Sequence, residues 1–336
     1  MANVINDNIS ATYGGANLNE IFFEPTFRSD DILANYRVIP NVKHTMNVFT
    51  SSNLTKIVNK YTTCSDASGT VQSNLNDKVL TAGRLRVALE QCSDEFFDSY
   101  IEELYRSGVD VMNAEGTVVG DIMMKRTVDG IGQDVVRLAW GADSASASAA
   151  YDQFDGWFKL AAGETALENI AASTDAPTAA EALSLIRGLY DGAPAALQQV
   201  AASEKKIFVT PKLLNAYLAN LEGTSSDLAW SAQADGVQKI MFRGVELVSM
   251  YEWDTILGDI NPAIFNGGTT PMNATQGACY VAKDNLVIGT DVSDPTAQIK
   301  MWYDDKDEKT YVRSYFKMGV QYLHSSLIKF AIVVAD

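Results

Sequence analysis

Two histidines, three cysteines and one acidic cluster are the residues of this chain best suited to chemistry. His44 and His324 could act as general bases or metal ligands. A Ser-His-Asp hydrolase needs one of them as base and a GxSxG elbow to present the serine. No such elbow occurs. Cys64, Cys92 and Cys279 are far apart, odd in number and form no CxxC, which argues against a zinc motif and a disulfide framework. A Cys64–His44 nucleophile pair has no local signature to support it. Asp304, Asp305, Asp307 and Glu308 could attract a cation, but the run lacks the alternating ligands and glycine of a calcium loop. It reads as the solvated tip of a hairpin. Gly130-Ile131-Gly132 lies inside a helical pattern and lacks the third glycine of a dinucleotide fingerprint. There is no Walker loop. Asn53-Leu54-Thr55 and Asn273-Ala274-Thr275 match glycosylation acceptors, a pattern common by chance. The expectation is a protein that is not an enzyme and uses no cofactor and no metal.

Bulk properties narrow the class further. At 336 residues the chain can bury one large core or two modest ones. Hydrophobic residues make up 47% and charged residues 20%, as in ordinary globular proteins. The formal net charge is −16, which argues against a dedicated nucleic-acid binder, since such a protein needs a basic field to release counterions. It leaves open a protein that encloses nucleic acid without gripping it. The opening MANVINDNIS lacks the charged and apolar regions of a signal peptide. The apolar run Phe330–Ala335 is too short to span a bilayer. The expectation is a soluble chain, made in a cytoplasm, with reduced thiols and no membrane contact.

The elements follow from periodicity. Residues 1–19 are rich in Asn and Gly and read as a flexible arm. Ile21, Phe22 and Phe23 are too apolar to stay in water, so the arm docks either on a neighbour or on its own core. Tyr36–Thr50 is β-branched and aromatic with a proline, which suits an edge strand. Lys78–Glu90 could return antiparallel, with a polar tip over Ser51–Leu75. A two-stranded ribbon is marginal in water and needs something to lie on. Ser93–Tyr105 has an N-cap serine, early acids and an apolar stripe at helical spacing. Thr117–Trp140 is the longest helical pattern, with Val119, Met123, Thr127, Ile131, Val135 and Leu138 on one face. Asp121 and Arg137 suit its dipole. Gly130 and Gly132 inside it mean either close packing or a built-in bend.

Farther on, Thr178-Ala-Ala-Glu181 is a capping box that opens a helix through Tyr190, with Leu183, Ile186 and Tyr190 as its core stripe. Lys205–Val209 reads as a strand. Thr210-Pro211 then caps a helix over Lys212–Leu221. Val237–Met250 and Ala278–Gly289 each read as two strands, around Arg243-Gly244 and Lys283-Asp284-Asn285. Ile299–Tyr303 pairs with Tyr311–Val320 across the acidic turn. Val312, Ser314, Phe316, Met318, Val320 and Tyr322 face one way; Arg313, Tyr315, Lys317 and Gln321 face the other.

This order of arm, ribbon, long helix, α/β region and closing strand pair resembles the major capsid proteins of tailed bacteriophages, the Hong Kong-97 fold. The resemblance covers nearly the whole chain, including KKIFVTPKLLNAYLANLEG, ACYVAKDNLVIGTD and the helix ending in LAWGAD. It rests on architecture and local phrasing, because the family has no strict motif.

The resemblance implies an α+β fold in four parts: an N-terminal arm over 1–34, an extended β-hairpin E-loop and its root over 35–92, a P domain over 93–141 and 298–323 with a long spine helix, and an A domain over 142–297 and 324–336 with a central sheet and flanking helices. It implies a structural protein that self-assembles into hexamers and pentamers of an icosahedral or prolate head enclosing double-stranded DNA, without sequence-specific binding. The alternative sharing the fold is an encapsulin-type shell around protein cargo. The implied partners are further copies of the chain, a portal, a scaffold and possible decoration proteins. The implied location is the virion, assembled in the bacterial host cytoplasm. Ile21, Phe22, Phe23, Val48, Phe49, Leu54, Ile57, Tyr61, Val79 and Leu80 are the expected inter-subunit contacts. Gly130 and Gly132 are the expected hinge of the spine helix.

Overall fold

The computed structural model describes residues 2–3, 35–51, 75–92, 118–146, 148–162, 168–172, 177–224, 240–259, 273–291 and 299–335. The expected helix over Ser93–Tyr105 and the polar ribbon tip lie outside them.

Two six-stranded sheets organise the chain. The first runs in the order β1 (Ala2–Asn3), β5 (Gly83–Cys92), β13 (Lys309–Tyr322), β11 (Leu286–Thr290), β2 (Arg37–Ile39), with β12 (Lys300–Asp304) also paired to β13. The second runs β6 (Glu168–Ala172), β14 (Ile328–Ala335), β10 (Asn273–Ala282), β7 (Lys205–Val209), β9 (Val245–Ser249), β8 (Met241–Phe242). A separate two-stranded ribbon joins β3 (Thr45–Ser51) to β4 (Leu75–Thr81).

The return strand of the expected ribbon therefore divides. Residues 75–81 pair with β3, but from Gly83 onward the chain leaves the ribbon and pairs with β13 over ten positions, Gly83↔Met318 to Cys92↔Lys309. The cause is burial. Leu85 sits opposite Phe316 and turns into the core, which a free ribbon cannot offer. The strands flanking Lys283–Asn285 also separate: β10 belongs to the second sheet and β11 to the first, so this turn carries the chain between sheets.

The long helix α1 spans Val118–Gly141. Met123, Thr127, Ile131, Val135 and Leu138 are buried on its inner face, as their spacing requires. Arg137 stops short of the last turn; its guanidinium pairs with Asp134 and donates to the Ala150 carbonyl. α1 delivers Trp140 into an aromatic cluster with Tyr36, Trp157, Phe158, Phe208, Trp253 and Phe330. The Trp140 indole donates to the Tyr36 hydroxyl at 2.9 Å, and the Trp157 indole, in α2 (Trp157–Ala162), donates to the Gln321 carbonyl at 3.1 Å. Phe316, Met318 and Val320 of the first sheet join the same core, so both sheets and α1 share one interior.

A second core lies on the opposite face of the second sheet. There α3 (Ala179–Asp191) and α5 (Pro211–Thr224) pack on Ile207, Val209, Ala278, Tyr280 and Ala331, while Phe208, Cys279, Val281 and Phe330 point to the first core. Burial on both faces explains why these strands read as continuous apolar runs. The capping box of Thr178 and Glu181 is formed. The core stripe of α3 is Ala182, Leu185, Ile186 and Leu189, with Leu183 and Tyr190 packed at its margin. The Thr210 hydroxyl donates to Gln276 at 2.6 Å. A short helix α4 (Ala195–Gln199) follows α3, and the amine of buried Lys205 donates to the carbonyls of Leu197 and Gln198 near its end. α6 (Glu252–Asp259) supplies Trp253, Ile256 and Leu257 to the first core.

Candidate assembly interface

The residues first considered for chemistry do not converge. His44 is exposed on the ribbon base, and His324 lies between β13 and β14, where its carbonyl accepts from Asn285. Cys92 and Cys279 are free thiols in different sheets, and burial pushes the Cys279 thiol up. Among the described residues no group of three or more His, Cys, Asp or Glu could hold a metal, and no helix is long and apolar enough to cross a membrane. A cavity of 240 Å³ between β5 and α1 is lined by Arg84, Arg86, Asp134 and Arg137 among others, with no serine, threonine, cysteine, histidine or lysine in its walls. Cys64 falls outside the described residues.

What the geometry builds instead is a surface. The ribbon register puts Met46 opposite Leu80, Val48 opposite Lys78 and Thr50 opposite Asn76, and puts Asn47 opposite Val79 and Phe49 opposite Asp77. These two sets lie on opposite faces, since side chains alternate along a strand. The first face is seated from Val48 and Lys78 to Leu80, while Met46 on it is exposed. Leu80 is fully buried with Val42, Ala82 and Val287, Val48 packs at the edge of that cluster, and the Lys78 ammonium sits 3.6 Å from the centre of the Tyr322 ring. The second face is open: Phe49 is 69% exposed and Val79 50%.

The ten expected contact residues thus sort by position. Phe49 and Val79 are outward, and Val48 is half-buried. Leu80 is corrected: it fills its own subunit's core and presents no surface to a neighbour. Ile21, Phe22, Phe23, Leu54, Ile57 and Tyr61 lie outside the described residues. The ribbon is also less bare than its composition suggests, because its base is fastened to the first sheet. Val42 N–H donates to the Thr290 carbonyl, the Gln321 amide to the Val79 carbonyl and the Lys317 amine to the Lys43 carbonyl. The glycines that permit this, Gly289 and Gly319, gave no sequence signal beyond being glycines in strands. In α1, Gly130 is exposed with open space where a Cβ would stand, and Gly132 is buried.

No family model matches the sequence, and no curated protein does. Solved structures do match, over nearly the full length. The capsid of a native GTA particle covers 98% of this chain and 100% of its own, at 11% identity and a TM-score of 0.54. The capsid of Myoviridae phage XM1 covers 94% and 95%, at 9% identity and a TM-score of 0.56. The mature capsid of bacteriophage PhiM1 covers 97% and 92%, at 12% identity and a TM-score of 0.51. The fold is a phage-capsid fold. It is mixed α+β, of the Hong Kong-97 type that the order of elements resembles.

Proposed function

We propose that this chain is the major capsid protein of a tailed-phage head: a structural protein, not an enzyme, that assembles into hexamers and pentamers and encloses double-stranded DNA in a virion. The observation that carries this is the likeness to capsid chains over 98% and 94% of this chain. In this proposal β3 and β4 form the E-loop, α1 is the spine helix, β12 and β13 belong to the P domain, and the second sheet with α3 and α5 forms the A domain. Residues 1–34 are the arm. Portal, scaffold and decoration proteins are its partners, and the bacterial cytoplasm is where it assembles.

The E-loop makes its contacts on a neighbouring copy, through Phe49 and Val79 and through Leu54, Ile57 and Tyr61 of the tip; the arm adds Ile21, Phe22 and Phe23. Deleting Thr50–Asn76 leaves a folded subunit that fails to close shells. Shells of normal yield from that deletion would disprove the contact. Gly130 and Gly132 let the spine helix bend as a precursor shell expands, so replacing both by alanine slows expansion. Unchanged expansion kinetics rule the hinge out. The acidic balance of the chain keeps the inner wall from adhering to packaged DNA; a strongly basic lumen in a reconstructed particle contradicts that.

The direct test is electron microscopy of the full-length protein expressed with its phage partners, followed by mass spectrometry and nuclease treatment of purified particles. Shells that protect double-stranded DNA are the expected result. Shells filled with a single enzyme would instead assign the chain to encapsulin-type compartments, and a monodisperse monomer under all conditions overturns both.

A further inference from the structure

Among the described residues, one face of the first sheet carries a run of cations with no acid at the paired positions. The register sets Lys317 opposite Arg84, Tyr315 opposite Arg86 and Arg313 opposite Ala88, with Lys300 flanking Arg313 on the other side. Directly paired residues share a face. Five cations and no acid occupy these positions, in a chain of net charge −16. Arg84, Arg86 and Lys300 are exposed, and Tyr315 among them is 55% exposed. Nearby acids are engaged elsewhere: Asp134 by Arg137, Glu90 by Lys309, and Asp291 by the Lys317 main-chain N–H. The Arg313 guanidinium stacks 4.9 Å from the Trp302 ring, which stiffens the patch.

At the far end of the same strands the sign reverses. The turn between β12 and β13 holds Asp304, Asp305, Asp307 and Glu308 against one Lys306, and residues 305–308 are all exposed. Asp307 is fixed by the Tyr311 hydroxyl, which donates to it at 3.0 Å. From residue 307 to residue 315 along β13 is about 26 Å at the rise of a β-strand. That is roughly three Debye lengths at physiological salt. β13 is held by β5 from Lys309 to Met318 and cannot fold back, so the acidic tip does not reach Arg84 and Arg86 of its own subunit, whereas Arg313 stands near it, 5.5 Å from the ring of the Tyr311 that holds Asp307.

We infer that the acidic turn of one copy docks on the Arg84–Arg86 face of another, so that each copy both gives a tip and receives one. Complementary charge and the fixed separation name the partner as a second copy, because a surface with both signs at opposite ends is complementary to itself. The inference rests on the capsid proposal for its setting and deepens it by naming the two surfaces that meet where assemblies join.

The test is a charge swap in the full-length chain. One variant carries Arg84→Glu and Arg86→Glu, a second carries Asp305→Lys and Glu308→Lys, and a third carries all four. All four side chains are exposed, and circular dichroism with a melt checks that each variant folds. Self-association is read by sedimentation velocity at low and high salt, and particles by electron microscopy. The inference expects each two-site variant to lose salt-sensitive association and the four-site variant to regain it. Association unchanged in either two-site variant overturns it, as does failure of the four-site variant to recover while folded. If the Arg84→Glu/Arg86→Glu variant keeps its association but loses binding of a DNA oligomer, the face is a nucleic-acid contact instead and the pairing is wrong. Absence of closed particles from the unaltered chain sinks the container proposal alone, since the swap is still decided by sedimentation.

Discussion

Leu80 lies against Gly289 with no space between them for a methyl group: a Cβ at 289 would overlap the leucine Cδ2 and stand 3.1 Å from Cδ1 and 3.2 Å from Val42 Cγ2. Gly319 meets the Thr81 carbonyl in the same way, and a Cβ there would also stand 3.0 Å from Ala82 Cα. The base of the ribbon is thus seated on β11 and β13 through two missing side chains.

Gly319→Ala is the more damaging of the two changes, because its obstacle is backbone and cannot rotate aside. Overpacking of this kind costs about 1–3 kcal/mol. Chemical denaturation should show that loss, and limited proteolysis should cut faster within residues 43–82. An unshifted unfolding midpoint with unchanged cleavage would show that the ribbon is not held there.

Leu80 and Phe49 should separate folding from assembly. Leu80→Ala empties a fully buried site and should cost about 2–5 kcal/mol. Phe49→Ser with Val79→Ser touches exposed positions, where substitutions usually stay within about 0.5 kcal/mol. The double variant should melt like the parent yet yield few particles in electron micrographs. Full particle yield from it would remove the open ribbon face from the list of contacts.

Glu252 gives the pH dependence. Its Oε2 is buried without a hydrogen-bond partner, and burial raises its carboxyl above the ordinary range. A carboxylate with a raised folded value favours the native state when protonated. Its contribution is therefore full below the ordinary carboxylate value and is lost as pH rises through the raised one. Glu252→Gln should then raise the melting temperature at neutral pH, because an uncharged amide loses less hydration on burial than a carboxylate does. The gain should shrink as pH falls into the ordinary carboxylate range. Melts across pH 4 to 8, compared between parent and variant, check both the sign and the trend.

Asp155 should behave in the opposite sense. Burial opposes its ionisation, but hydrogen bonds from the Ser144 hydroxyl and main chain and from Lys159 outweigh burial and hold its carboxyl below the ordinary range. Its stabilisation is present above the ordinary value and is lost as pH falls through the lowered one. Asp155→Asn should lower the melting temperature at neutral pH and make little difference at strongly acidic pH.

In α1, Gly130→Ala should raise helix stability by about 0.5–1 kcal/mol, since the site is open and alanine loses less backbone entropy. A melting temperature that falls would mean that the glycine meets something on its open side.

Much of this was legible in local signals. Helical spacing placed α1 within one residue at each end, the capping box at Thr178 opened α3, and alternation along β13 divided Val312–Tyr322 from Arg313–Gln321. Those signals are short-range: a cap, a stripe and a pleat are set by residues within a few positions. Local signals did not reveal that Gly83–Cys92 leaves the ribbon, that Leu80 turns inward, or that Arg84 and Arg86 align with Arg313, Tyr315 and Lys317. Each depends on pairing between residues more than 200 positions apart, as in Tyr315↔Arg86.

The sequence by itself determined the helices and most strands among the described residues and the acidic balance, because composition and periodicity are properties of the chain alone. Only the tertiary structure decided which ribbon face is seated and which is open, and where opposite charges stand on one sheet. A strand shifted by one residue turns every side chain to the other face. The register that prevents such a shift comes from close approaches, Leu80 on Gly289 and Thr81 on Gly319, between distant parts of the chain.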